Sequence, residues 1–403
     1  MPETSSGRPV SIVLSGIGGM GAVFLKELLD HAAEGRFRIA GAVDPSPERC
    51  PYLAELAGLR VPVVPDLEMF YAQDEADFAI ISSPHHFHAD QTCAALAHGS
   101  DVLCEKPAAA SSQDLLRMIL ARNEAGRWVA IGYQWSFSEA VQSLKADILQ
   151  GRYGRAIRLK CLYFWPRDHA YYRRNDWAGR KRALTGALLL DSPVNNGMAH
   201  DLHNIFYVLG SAVATSAMPV LVQGELRRAN DIENFDTAAL RCRTSEGAEV
   251  LFWASHASRT DSGPVILYEF ERGSVTVAGR DSPILGRFSD GSERDYGNPD
   301  AAPMKKLWDC LELVGRPEGP VCGLEAAAGQ TLCVEGLQES APEILSFPPG
   351  RIRRADETGL ERTWVVGLDE ELRLCYERNA LPSEIGLDWR PGRPVDLRGR
   401  ILT

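Results

Sequence analysis

No stretch of this 403-residue chain is apolar for long enough to cross a bilayer, which takes about 20 consecutive residues as a helix. The N-terminus, MPETSSGRPV, lacks the apolar run of a secretory signal, so export by that route is not expected. Positive charge is in deficit: 43 Lys and Arg against 54 Asp and Glu leave −11, which argues against nucleic-acid or membrane partners. The nine cysteines contain no CxxC pair and no metal-type spacing, and read as reduced, packed thiols of a cytoplasmic protein. Internal repeats and low-complexity linkers are also missing. What is left is ordinary, with 45% hydrophobic and 24% charged residues, as in a soluble globular chain. Its length exceeds that at which one core keeps growing, so two domains are expected.

The first informative stretch is VSIVLSGIGGMGAVFLKELLD. An apolar strand leads into Gly16, Gly18 and Gly21 in GxGxxG spacing, and Phe24, Leu25, Leu28, Leu29 and Ala32 then recur at helix-face spacing. Strand, glycine turn and helix is the context a dinucleotide pyrophosphate needs, since backbone N–H groups at a helix N-terminus can approach it. Ile17, Gly19 and Met20 belong to the same turn. A second strand, RFRIAGAVD, ends in Asp44, where an acid accepts the adenosine ribose hydroxyls. A carboxylate there would repel a 2′-phosphate, which favours NAD over NADP, although Arg49 lies close in sequence.

Two further strands, 78–83 and 102–105, flank a helix over about 89–97, giving a parallel, doubly wound sheet. Ser83, Pro84, His85 and His88 follow a strand end and are expected to line the crevice where ligands bind in such sheets. A metal on His85, His86 and His88 is disfavoured, because no second ligand pair stands at fixed spacing.

With Glu105-Lys106-Pro107 after a buried strand, the GxGxxG turn and SSPHHFH, the chain closely resembles the glucose-fructose oxidoreductase, inositol dehydrogenase and rhizopine-catabolism family. The resemblance covers the first 135 residues well and extends loosely to about residue 345. It implies a Rossmann domain over 1–134 and a C-terminal α+β domain over 135–403, built on an open mixed sheet, with 346–403 as an extension. It also implies a catalytic Lys106, with Glu105 and Gln134 near the cofactor, and a homo-oligomer, dimer or tetramer. AIGYQWSF places Tyr133 and Trp135 at the domain junction or in the cleft. WPRDHAYYRRNDWAGRK carries Trp165, Arg167, Tyr171, Tyr172, Arg174, Asn175 and Trp177, which suit either a lid over a polyol or a subunit interface. GPVILYEFERGSVTVAG and TWVVGLDEELRLCYE alternate like half-buried strands, whereas MKKLWDCLELVG and GLEAAAGQTLCVEGLQES read as helices.

The segment SPVNNGMAHDLHN carries the remaining chemistry. Taken as a helix over 196–209, it puts Asn196, His200, His203 and Tyr207 on one face and Met198, Leu202, Ile205 and Leu209 on the other. The family's pattern matches at His200, but its carboxylates are replaced by Asn196 and His203 or displaced to Asp191. Imidazole titrates nearest neutral pH, so His200 is the expected base, sharing the hydroxyl proton with Lys106. Asn196 or Asp191 would orient the substrate or the imidazole, and His203 would hold a second hydroxyl. The expected function is NAD-dependent oxidation of a secondary hydroxyl of a sugar, inositol or related polyol. The alternatives are NAD-dependent glycoside cleavage by transient oxidation, elimination and re-reduction, and a non-catalytic NAD sensor.

Overall fold

The structure, a computed structural model, describes residues 8–357 and 359–400; the first seven residues of the polar N-terminal stretch lie outside the described residues. It contains two compact units. The first comprises residues up to 109, then 113–137 and 302–327; the second takes 110–112, 138–301 and 328 onward.

In the first unit, β1 (Val10–Ser15), β2 (Phe37–Val43), β3 (Val63–Val64), β4 (Phe78–Ile81), β5 (Asp101–Cys104) and β6 (Val129–Ile131) form one sheet in the order 3-2-1-4-5-6. Every pairing is parallel. Strands buried on both faces need continuous apolar runs, and β1, β4 and β5 are buried at every residue. Helix Met20–His31 turns Phe24, Leu25 and Leu28 inward, the stripe its spacing predicts. The order reverses between β1 and β4, which sets the ligand crevice at their carboxyl ends.

Residues 302–327 pack in this unit, although the sequence places them within 135–403. Helix Lys305–Leu313 supplies Trp308, whose indole N–H donates to Glu27 Oε1 (2.8 Å) and whose ring meets His31 edge-on at 4.9 Å. The Ile131 N–H donates to the Cys322 carbonyl (2.8 Å). Such a return of the chain is non-local, and periodicity alone carries no trace of it.

The second unit is built on a mixed sheet. Its strands are β7 (Ala156–Phe164), β8 (Pro219–Arg228), β9 (Thr237–Thr244), β10 (Glu249–Ser255), β11 (Ser262–Phe270), β12 (Gly273–Val277), β13 (Ile284–Phe288), β14 (Glu293–Gly297) and β15 (Leu345–Ser346), in the order 14-13-12-11-7-10-9-8-15. Only β7 with β10 and β8 with β15 pair in parallel. Outer β13 alternates buried and exposed residues, whereas six successive residues of β7 and of β10 are buried, so the sheet centre is covered on both faces.

The tail supplies one of those covers. The hairpin β16 (Ile352–Glu357) and β17 (Leu360–Val365) is followed by helix Leu368–Arg378, and β18 (Val395–Asp396) pairs with β8. The expected strand pattern of LDEELRLCYE is therefore a helix. Leu368, Leu372 and Cys375 fall at helical spacing, and Asp369, Glu370 and Glu371 fill the first turn, where the helix dipole favours acids. These three apolar residues, with Phe347, Val365 and Trp389, pack on Leu162, Phe164, Leu251 and Trp253 of β7 and β10.

Candidate functional site

The glycine turn is built from close backbone approach. Gly16 has φ +81°, and a Cβ there would sit 2.7 Å from the Ser83 nitrogen; a Cβ on Gly21 would clash with the Gly16 carbonyl. Gly18 would meet nothing within 4 Å, so the turn presents open backbone on that side. No side chain caps helix Met20–His31 at Gly19, so the N–H groups of its first turn, apart from that of Gly21, which donates to the Gly18 carbonyl (2.9 Å), suit an anionic ligand. Asp44, at the end of β2, accepts from the Ile17 N–H (3.0 Å) and the Ser46 N–H (2.9 Å), a carboxylate held in place beside the turn. These features fit a dinucleotide, for which the backbone at Gly18 would hold the pyrophosphate and Asp44 would accept from a ribose diol.

The histidine run serves the next strand end. His88 is fully buried, with Nδ1 2.8 Å from the Pro107 carbonyl and Nε2 2.9 Å from the Ser83 carbonyl. Carbonyls only accept, and burial pushes the ring toward neutrality, so it donates to one of them at a time while tying Ser83 to the residue after Lys106. Ser83 Oγ donates to Gln91 Oε1 (2.6 Å), His85 is buried beside His88, and Pro84 precedes both. Among the described residues no group of three or more His, Cys, Asp and Glu is placed to hold a metal ion.

Glu105 is buried and ion-paired with Lys306, itself fully buried in helix Lys305–Leu313. The Lys106 N–H donates to the other Glu105 oxygen (3.2 Å), and a Cβ on Gly132 would lie 2.7 Å from Oε1. Glu105 thus anchors the backbone that carries Lys106. Sequence reading missed Lys306; its signal was a lysine in register with buried Cys310 on an otherwise apolar face. Gln134 opens helix Gln134–Phe137, Tyr133 is wholly buried, and Trp135 is nearly so.

In the second unit, the segment 192–204 departs from the single helix expected over 196–209. Pro193–Asn195 forms a 3-10 turn, Asn196 has φ −133° and ψ −91°, and the helix is Ala199–Val208. Asn196 therefore does not sit on a wheel with His200. The two-faced helix is also corrected: every residue of Ala199–Val208 is buried except His200, which stays partly accessible together with Asn196 and Gly197. His203 lies inside, stacked on Tyr207 at 5.4 Å, with burial and Lys145 pushing it well below its ordinary pKa.

Asp191 and Asn196, expected as alternative orienting groups, are partners. Asp191 Oδ1 accepts from Asn196 Nδ2 (2.8 Å) and Oδ2 from the Gly179 N–H (2.6 Å), which pins the aromatic loop to the start of the helix segment. Asn196 Nδ2 also reaches Tyr171 Oη (3.4 Å). The loop is a stack: the Arg167 guanidinium lies 3.7 Å from the Trp165 ring and 4.5 Å from Tyr171, and Arg174 lies 3.7 Å from Tyr171 and 5.1 Å from Trp177. Asn175 accepts from the Trp177 and Ala178 N–H groups, a turn-forming role. Tyr172 keeps its Oη buried.

Two further titratable residues of this unit are buried. His256, the residue that follows β10, is buried with Nδ1 2.8 Å from the Trp165 carbonyl, and burial next to Arg167 pushes its pKa to about 3. Asp201, beside His200, is buried, and desolvation with Asp300 nearby raises its pKa to about 8.

Residues 10–133 match the family model described as an oxidoreductase family with an NAD-binding Rossmann fold. An inositol 2-dehydrogenase of Pseudomonas fluorescens is 26% identical over 77% of this chain and 90% of its own. One from Streptomyces avermitilis is 29% identical over 50% of this chain and 53% of its own. The chain spans only 35%, 53% and 41% of the length of the first three curated relatives it matches. The WlbA dehydrogenase of Bordetella pertussis, solved with NADH and UDP-GlcNAcA, superposes with TM-score 0.66 at 22% identity, over 83% of this chain and 97% of its own, a likeness of fold. Over residues 10–133 the chain is thus similar to the glucose-fructose oxidoreductase, inositol dehydrogenase and rhizopine-catabolism family of oxidoreductases, through its NAD-binding Rossmann domain.

Proposed function

We propose that the protein oxidises a secondary hydroxyl of a sugar, inositol or related polyol in an NAD-dependent reaction. Two features, each within its own unit, support this reading: a glycine cradle with its acidic latch, Asp44, and a buried helix that leaves one imidazole, His200, partly accessible. Bound NAD supplies the acceptor for the hydride that leaves the carbinol carbon. His200 takes the hydroxyl proton, since a neutral imidazole is a competent base near pH 7. Lys106, held by Glu105 and by the clamp on Pro107, supplies positive charge toward the developing alkoxide. Asp191 and Asn196 fix the backbone ahead of His200. That relatives are named inositol 2-dehydrogenases supports the polyol class.

The test is nicotinamide absorbance with NAD and a panel of inositols, aldoses, alditols and sugar acids. NADH should form with at least one, and His200→Ala or Lys106→Ala should abolish turnover while NADH still binds. Glycoside cleavage that needs NAD but yields no net NADH would replace this reading with the redox-neutral one.

A further inference from the structure

Arg167 is a cation without an anion. Its backbone N–H donates to the His256 carbonyl (3.1 Å), and its guanidinium packs against Trp165 and Tyr171. Among the described residues no carboxylate lies within ion-pair distance of it, and its Nε is buried without an acceptor. Neighbouring Arg280, over the same Trp165 ring at 4.7 Å, is by contrast paired with Asp261 and Tyr163. Burial weakens the charge on Arg167 but does not remove it, because guanidinium stays protonated in proteins. An arginine desolvated to this degree is costly unless something completes it. The aromatic rings occupy its flat faces, so the N–H groups in its plane remain for a ligand, and that fork matches a carboxylate.

Arg167 lies near the segment that leads into the helix of His200. The point where a Cβ of Gly197 would stand lies 3.2 Å from Arg167 Nη2 and 3.4 Å from His256 Cε1, three positions ahead of His200. His256 complements the arginine. Its Nδ1 faces a carbonyl and must carry the hydrogen, so Nε2 is a bare acceptor, and it is buried with no partner among the described residues. Arg167 Nη2 and the His256 ring thus close on the backbone of Gly197 together with Trp165, with no side chain between them.

We propose that the substrate is a sugar acid, whose carboxylate is bound in plane by Arg167 and one of whose hydroxyls donates to His256 Nε2. This rests on the reading of the second unit as the substrate side. The planar fork of Arg167 matches a carboxylate through two parallel bonds, and Asp191, joined to the same network through Asn196 and Tyr171, disfavours further negative charge on the ligand.

The experiment compares matched pairs that differ only in the acid group, such as gluconate with glucitol, for the wild type, Arg167→Met and Arg167→Lys. Wild type should favour the acid in kcat/KM. Arg167→Met should lower that preference by roughly 100-fold, with Arg167→Lys in between, the loss of a charge-assisted bidentate contact. The preference is a ratio, so it is unmoved by a smaller folded fraction. Preference for the neutral partner in every pair, an unchanged ratio in Arg167→Met, or preference for sugar phosphates would overturn the proposal. If no carbohydrate is oxidised, the oxidation reading falls by itself. Saturable quenching of tryptophan fluorescence by the sugar acid, lost in Arg167→Met, would still support the carboxylate site, and its absence at millimolar acid would sink it.

Discussion

Replacing Asp201 by Asn should make the protein more stable at neutral pH and change its response to pH. Asp201 sits inside the helix that presents His200; one carboxylate oxygen has no partner among the described residues, and its pKa is raised from 3.8 to about 8. Burial is the main cause, Asp300 adds to it, and Arg280 opposes it. The folded state therefore keeps a proton that the unfolded chain releases, and this group's contribution to stability is lost progressively as pH rises from about 4 to about 8. Over that window the slope is a little over 1 kcal/mol per pH unit, so between about pH 5 and pH 7.5 the wild type loses roughly 3 kcal/mol that the isosteric, non-titrating Asn retains. At about 2–4 °C per kcal/mol, the gap in Tm between variant and wild type should widen by roughly 6–12 °C across the window. His256 acts in the opposite direction, destabilising the fold as pH falls below its unfolded pKa, but it is common to both proteins and cancels in the difference. Differential scanning fluorimetry in a buffer series measures the gap. A gap independent of pH would show that Asp201 is ionised in the native protein and refute the reasoning.

Three further outcomes follow from the packing. Lys306→Met leaves the Glu105 carboxylate buried and unpaired, at a cost of roughly 3–5 kcal/mol, and adding Glu105→Gln should return part of the lost Tm. Asp44→Ala removes the acceptor for the Ile17 N–H and for a ribose diol, so NADH affinity in a fluorescence titration should fall by roughly 10- to 100-fold, and the wild type should bind NADH more tightly than NADPH. Leu372→Ala opens a cavity where the tail covers β7 and β10, which should cost about 2–5 kcal/mol in thermal unfolding without altering NADH affinity.

The first unit was legible because its signals are local. GxGxxG, Asp44 and the strand ends follow one another at short range, and the parallel strands declare themselves by apolar runs. Lys306 and Trp308 were not legible as members of that unit, because their partners Glu105 and Glu27 lie far away in sequence. Residues 192–204 were misread for a different reason. A helical wheel begun at Asn196 assumes helical backbone through Gly197, whereas the backbone at Asn196 is not helical, and the histidines it grouped are divided between an accessible spot and the interior. LDEELRLCYE looked like a strand over a short window, and its helical stripe shows only when Leu368, Leu372 and Cys375 are taken together.

The central claim is hydride transfer from a carbohydrate carbinol with His200 as base. Its most direct test is the pH dependence of kcat/KM for NADH formation with the best substrate, in wild type and His200→Gln, with NADH binding measured alongside. The account predicts a wild-type rate that rises through the titration range of an imidazole, and a variant that binds NADH yet loses at least about 100-fold in rate together with that titration, the usual scale of general base catalysis. A variant that keeps the wild-type rate and pH profile would contradict it.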